Sequence, residues 1–520
     1  MESVLQAQQR LAEDGIYLLG TILNNWEDQP PVLSRILTHV GNRLPKDDFE
    51  LMHDHYRSRL THSMVTSGAS AALGGGIAML SYPVYLHFLG YAEYGLWVIV
   101  STFITLCQLG SLGIGPAVAK LIAEELGQNS RDGAQSYVEL AISAVMILGA
   151  ATVLLLLLLR EFLLRQVGLT LGMEQIPVAL IPLVVILSFY SFLTDVFSAV
   201  LTGLGRMDIT AMIQTAAQAT ALGCSFLLLR LGHGVLSLAV GTLASLVLMH
   251  VLASIFTWRV GALTLKPAVR LDWKRGGKLL RLSSTVFAAG IAATLFIPFN
   301  KLLLSRYVGL AAVPVYEMAF VSSMRLRGLF EMATKPIMPM LSHAVSRGGS
   351  SVESALDHAR RLVQRLILTA LATFGFVFLF ADPILRVWLR RSLDPAMPLA
   401  LRVMLVGAFL SLLGVPAYYA LLGLGRAIAL FWSHVVQSGT NVGVLALVLF
   451  MGYPLSLTTL LVASAIAMGA TTCFLAARYL AAVKALALPG DIFTPTLLAS
   501  RPLEAISRPA EIVADDRATL

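Results

Sequence analysis

The chain has 520 residues, 57% hydrophobic and only 13% charged, with a formal charge of +8 and a mean hydropathy of +0.77. Soluble domains carry about 25% charged residues, so this composition excludes a soluble enzyme or binding module and points to a membrane protein with many spans. The excess of Lys and Arg reads as loops that orient the chain in a membrane, and no nucleic-acid partner is expected.

Residues 1–63 are polar and read as an N-terminal extension without a secretory signal. Ser3 to Leu23 has the spacing of an amphipathic helix, broken at Gln29-Pro30-Pro31, and Leu44-Pro45 followed by acids starts another helix. His53, His55 and His62 with Asp54 lack a strong ligand motif. A solvated helix on the inner membrane face is the preferred reading there. Beyond residue 63 lie about twelve apolar segments, each near the ~20 residues a span needs. They fall near 64–88, 94–118, 136–159, 175–202, 207–229, 234–257, 281–305, 314–340, 364–389, 396–423, 427–450 and 455–480. A basic linker at 261–280, holding Lys266, Arg270, Lys274, Arg275 and Lys278, separates a first block (64–260) from a second (281–482). A tail follows at 483–520. With the N-terminus inside, most Lys and Arg fall in inner segments, so both termini are expected in the cytoplasm. Cys107, Cys224 and Cys473 sit in apolar runs without disulfide or zinc spacing.

The blocks repeat. Leu201-Thr-Gly-Leu-Gly-Arg206 returns as Leu421-Leu-Gly-Leu-Gly-Arg426, and Phe88-Leu-Gly90 returns as Tyr307-Val-Gly309, at offsets of 220 and 219 residues. The expected fold is an all-α integral membrane protein of about twelve transmembrane helices in two six-helix parallel repeats. Such repeats place a substrate site between the lobes near the bilayer midplane.

One segment is too charged to face lipid. Residues 314–341 carry Glu317, Arg325, Arg327, Glu331 and Lys335. At about 100° per residue, Glu317, Glu331 and Lys335 share one line, with Arg325 and Arg327 at about 80° to either side. Intramembrane guanidinium groups normally face a bundle interior or a watery cavity. The stripe therefore reads as a cationic wall for an anionic substrate, with Arg325, Arg327, Lys335, Lys301 and Lys120 as binding candidates. Internal pairing at i,i+4 between Arg327 and Glu331, and between Glu331 and Lys335, is the competing reading. Asp195, Glu317, Glu331, Asn300 and Arg402 are the gating or ion-coupling candidates. His250 and His434 more often make interior hydrogen bonds. Gln437, Thr440 and Asn441 would face a sugar or join helices. Tyr418 and Tyr419 would offer stacking faces or pack.

The run Phe88 to Gly127, with LGxxxYGL at Leu89–Leu96, LGIG at Leu112–Gly115 and Ala-Lys-x-Ile-Ala-Glu-Glu at its close, resembles the Wzx-type flippases of the multidrug/oligosaccharidyl-lipid/polysaccharide (MOP) superfamily. Lys301-Leu-Leu-Leu-Ser and Lys335-Pro-Ile-Met-Pro-Met-Leu-Ser342 are similar to that family's seventh and eighth helices. The likeness covers roughly 64–480. Ser111 and Asn300 stand where the family often has acids. The resemblance implies a V-shaped, two-lobed bundle in the bacterial cytoplasmic membrane that moves polyprenyl-diphosphate-linked oligosaccharide outward. Its partners would be the lipid-linked saccharide, membrane lipids, and a glycan polymerase with glycosyltransferases.

No phosphate-cradling Gly-rich loop with Lys-Ser/Thr is present, and no metal-ligand cluster. No enzyme activity, organic cofactor or resident metal is expected, with H+ or Na+ as the coupling candidate. The alternative function is a multidrug exporter of the MATE branch, ion-coupled and usually cation-carrying. A third is a scaffold for glycan synthesis.

Overall fold

The computed structural model describes residues 46–487 apart from 109–112, 129, 159–179, 262, 268–271, 273, 281–282, 284–290, 292–293, 336, 339, 342–349 and 425. Most of the expected extension, nearly all of the tail, and Ser111 therefore lie outside the described residues, as do the side chains of His53, His55 and His62. Every described element is helical. In chain order these are α1 (Lys46–Gln108), α2 (Ile114–Gly127), α3 (Arg131–Leu158), α4 (Leu180–Gly203), α5 (Met207–Arg230), α6 (Leu236–Gly261), α7 (Phe296–Tyr307), α8 (Ala312–Thr334), α9 (Ser350–Leu379), α10 (Ala381–Leu389), a 3-10 turn (Arg390–Ser392), α11 (Met397–Gly423), α12 (Ala427–Phe450) and α13 (Leu457–Ala487).

Among the described residues, nine segments are long and apolar enough to cross a membrane. The first of them, Ala72–Leu106, holds two of the expected spans. Gly90 interrupts α1 with φ 68° and ψ −175°, a region essentially closed to residues with a side chain. The Tyr82 and Tyr94 rings lie 6.3 Å apart, whereas twelve residues of straight helix would separate their backbones by about 18 Å. The two arms of α1 therefore fold against each other. The first half of the span expected at 281–305 falls largely outside the described residues, and its second half forms α7 (Phe296–Tyr307). The one expected at 314–340 is not among the nine, as its five charges require.

The internal repeat is visible in backbone and packing. Gly309 repeats the positive φ of Gly90, at 115°. Gly203 ends α4 where an added Cβ would sit 2.9 Å from the Ala119 carbonyl and 3.0 Å from Ile122 Cβ. Gly423 ends α11 where a Cβ would sit 2.6 Å from the Met338 carbonyl and 3.3 Å from Leu341 Cβ. Ala119 and Ile122 become Met338 and Leu341 at an offset of 219. Small residues let membrane helices approach closely where no hydrophobic force drives them together, and the repeat preserves that approach in both halves. The turns that follow match too, with Arg206 N–H donating to Leu201 O at 3.0 Å and Arg426 N–H to Leu421 O at 2.8 Å.

The segment expected to be a linker is built into the first lobe. Leu263 and Leu279 are buried in the same cluster as Val118, Leu121, Val138 and Phe192. The Gln135 side chain accepts from Thr264 N–H at 2.8 Å and donates to Thr264 O at 3.0 Å. Lys278 pairs with Glu124 at 2.7 Å and Lys266 with Glu139 at 3.4 Å. Partial burial acts to lower the Lys278 pKa, but the bond and charge of Glu124 together with nearby Tyr137 and Glu125 outweigh it and the net shift is upward.

Among the described residues, the substantial contacts between the lobes run through α1, which meets α7, α8, α10 and the 3-10 turn. Tyr82, Leu86, Tyr94 and Leu96 share a buried cluster with Phe296, Val313 and Tyr316. Gly95 is required at this seam, because a Cβ there would lie 2.1 Å from the Leu310 carbonyl oxygen. Thermal unfolding in detergent tests these assignments. Gly90→Ala should cost about 1–3 kcal/mol, and Gly95→Ala should also lower the melting temperature. Gly76→Ala, with nothing within 4 Å of the new methyl, should be neutral or raise it, by up to ~1 kcal/mol of helix propensity.

Candidate functional site

The charges of α8 are sorted by the helices it touches. Glu317 faces α7, where Lys301 Nζ lies 2.7 Å from its carboxylate, with the two side chains only 10% and 18% exposed. Beside them, Asn300 donates to Tyr316 Oη at 3.0 Å and to Ser464 Oγ at 3.2 Å, and accepts from Asn441 Nδ2 at 2.8 Å. All four of these side chains are buried. The network ties α7, α8, α12 and α13 into one lobe, so Asn300 and Lys301 are interior groups with partners.

About three turns further along, Arg327 donates to Glu331 at 2.7 Å and to Ser411 Oγ on α11 at 3.1 Å. Tyr419, also on α11, donates to the other Glu331 oxygen at 3.0 Å. This is the i,i+4 pairing that the spacing allowed, locked in place by the neighbouring helix. Tyr419 is thereby committed to Glu331, and its ring meets Tyr418 edge-on at 5.5 Å.

Both acids of the stripe are thus taken, one by a base from another helix. Arg325 and Lys335 are left over. Both are exposed, and neither side chain has a hydrogen bond or ion pair among the described residues. Arg325 points across to the first lobe, its Nη1 3.8 Å from where a Cβ on Gly75 would stand. An unpaired guanidinium at the seam between two lobes can bind an anion through two parallel N–H bonds. Lys120 on α2 is exposed and likewise without a partner among the described residues.

The other candidates are scattered. Arg402 pairs with Asp382, donates from Nε to the Phe378 carbonyl at 3.2 Å, and lies over the Phe378 ring at 5.9 Å. It holds α10 to α9 and α11 within one lobe. Asp195 on α4 is exposed and has no partner among the described residues. His250 bonds Tyr190 Oη at 2.5 Å.

Some groups at the lobe seam have no counterpart among the residues singled out from sequence. Tyr91 Oη donates to the Ser392 carbonyl at 2.7 Å and accepts from Asp394 N–H at 3.1 Å. Trp388 Nε1 donates to the Met79 carbonyl at 3.0 Å. These residues are ordinary interfacial aromatics in the sequence. Only Pro83, inside an apolar run, signals that a carbonyl near Met79 needs an outside donor.

Removing one member of a buried ion pair strands the other and costs about 3–5 kcal/mol. Lys301→Ala and Glu317→Ala should each lower the melting temperature of the detergent-purified protein. The double variant should lose clearly less than the sum. Additive losses would show that the two charges are not partners.

Comparison with known proteins follows this geometry. The chain matches the model of the family described as "Polysaccharide biosynthesis protein" over residues 63–345. No curated protein matches it in sequence. Among solved structures it is similar to a multidrug resistance MATE family transporter of the MOP superfamily in an inward-facing conformation (TM-score 0.62, 19% identity, covering 80% of this chain and 95% of that one). An outward-facing structure so described gives a TM-score of 0.56 at 18% identity, covering 82% and 96%. A MOP superfamily transporter from Pyrococcus furiosus, described as having a binding pocket of reverse polarity that suggests a different function, gives 0.51 at 16% identity, covering 82% and 96%. These likenesses establish the two-lobed MATE-like fold. The family match spans more than half of the chain, which therefore belongs to the polysaccharide biosynthesis protein family.

Proposed function

We propose that this protein moves a polyprenyl-diphosphate-linked oligosaccharide across the bacterial cytoplasmic membrane by alternating access, with both termini in the cytoplasm. The observation that carries the reading is Arg325, a guanidinium at the seam between the lobes that has no partner among the described residues. A diphosphate offers the oxygens that a guanidinium binds bidentately. Membership of a polysaccharide biosynthesis family and a transporter fold support a glycan-bearing cargo. The Pyrococcus furiosus neighbour, described with a pocket of reverse polarity, is a precedent on this fold for changed pocket charge. A carrier of organic cations would be served by free acids at the seam, and the acids of α8 are occupied.

In this reading Arg325 binds the diphosphate, Lys335 adds charge beyond the end of α8, and Lys120 on α2 meets the headgroup at the cytoplasmic mouth. Arg327, Lys301, Glu317, Glu331 and Asn300 act one step removed, holding α8 so that Arg325 faces the first lobe. Asp195, without a partner among the described residues, is the group assigned to coupling with H+ or Na+. The lobes divide at the end of the 261–280 segment, which travels with the first. A polymerase and glycosyltransferases would consume and supply the cargo.

Farnesyl diphosphate is a soluble probe for the headgroup. It should stabilise the purified protein in a salt-sensitive manner, because phosphate contacts are screened. Arg325→Gln should weaken that effect about tenfold or more, as a charged hydrogen bond worth ~1.5–3 kcal/mol predicts, while leaving the melting temperature of the free protein unchanged. Arg327→Gln should lower that melting temperature itself. Equal binding by the parent and Arg325→Gln would overturn the assignment.

A further inference from the structure

A proline inside a helix cannot donate to the carbonyl four residues earlier. In α1 the proline is Pro83, and the carbonyl is that of Met79. That carbonyl has a donor from the other lobe: Trp388 Nε1 lies 3.0 Å away. The Trp388 ring meets Tyr82 edge-on at 5.9 Å and 88°, and Ser322 Oγ on α8 lies 3.7 Å from Met79 Sδ. Trp388 rides on α10, a nine-residue helix seated on the second lobe through buried Ala381, Leu385 and Leu389. Arg402 fixes the first turn of that helix through Asp382. Beyond it, Ser392 and Asp394 bond Tyr91.

We infer that Trp388 and the Met79 carbonyl form a latch that holds the lobes together at the end carrying Gly90 and Gly309. Pro83 keeps the carbonyl open to a partner on the other lobe, and Arg402 positions the helix that delivers the indole. The latch connects two features that are otherwise unexplained: a proline in the middle of a membrane helix, and a short helix laid across the seam. A backbone carbonyl that loses its donor away from water is costly. Parting of the lobes at this end therefore requires water or cargo to replace the indole N–H. The inference rests on the transporter reading only in that the lobes separate, and it is independent of what is carried.

Spin labels read the separation directly, without any cargo. In a background lacking the native cysteines, His233→Cys and Tyr453→Cys place labels on the two lobes at this end. Both sites are exposed, and the turn at His233 lies beside Glu93, whose carboxylate is 3.7 Å from where a Cβ on Gly234 would stand. The full chain is measured in lipid nanodiscs. Trp388→Phe keeps an aromatic ring and removes the N–H. Pro83→Ala restores a backbone N–H that competes for the Met79 carbonyl, and it adds a better helix former, so misfolding is not its expected effect. Each should reduce the ratio of closed to separated populations about fivefold, which corresponds to one hydrogen bond of about 1 kcal/mol. The double variant should go no further than either single, since both remove the same bond. Arg402→Gln should shift the ratio in the same direction and Arg402→Lys should largely restore it. An unchanged distribution in Trp388→Phe would overturn the latch. So would additive effects of Trp388→Phe and Pro83→Ala. Because no diphosphate enters this experiment, a negative result leaves the cargo assignment untouched, and loss of diphosphate binding leaves the latch untouched.

Discussion

Charge neutrality inside the second lobe governs how the rest of the molecule is arranged. An ionised side chain in a membrane must be paired or wetted, and α8 carries two acids and two bases along its length, with Lys335 just past its end. Its neighbours decide the outcome. Lys301 comes from α7 to take Glu317, and Arg327 on α8 itself takes Glu331 with help from Ser411 and Tyr419. With both acids taken, Arg325 is left without a partner among the described residues and faces the seam beside Gly75 of α1. The positive surface between the lobes thus follows from pairing that occurs within one of them.

The two lobes share backbone solutions and differ in side-chain chemistry. Glycines at 90 and 309 turn the chain, and glycines at 203 and 423 let helices touch, at offsets of 219 and 220 residues. The first lobe has no counterpart of the Lys301–Glu317 pair or the Asn300 network among its described residues. It contributes α1, whose glycines and tyrosines make the seam. Geometry is kept between the lobes while buried charge, among the described residues, is confined to the second.

Much of this was legible in the sequence. The spans, the two blocks and the charged helix follow from hydropathy and from recurring Gly motifs, because bilayer thickness and tight turns limit the residues that serve. The pairing of Arg327 with Glu331 was legible as an alternative, because i,i+4 geometry is local. The pairing of Lys301 with Glu317 was not, since it joins different helices and nothing in the spacing fixes their rotation. For the same reason Lys301 and Arg325 looked alike in sequence and differ in the structure. The basic segment at 261–280 read as a linker because charge dominates it. Two leucines, Leu263 and Leu279, anchor it to the first lobe, and isolated apolar residues among charges carry little signal. Arg402 read as a gate residue from its position alone, and the sequence did not show that its bonds hold α10 to α9 and α11.

The most direct test of the central claim is the polyprenyl-linked saccharide pool of cells that lack this protein, compared with cells complemented by the parent chain or by Arg325→Gln. The account predicts that a lipid-linked oligosaccharide accumulates on the cytoplasmic side without the protein, falls when the parent chain is restored, and stays high with Arg325→Gln present at normal abundance. An unchanged pool in the deleted strain, together with increased sensitivity to cationic dyes, would contradict it and assign the chain to the export of small cations.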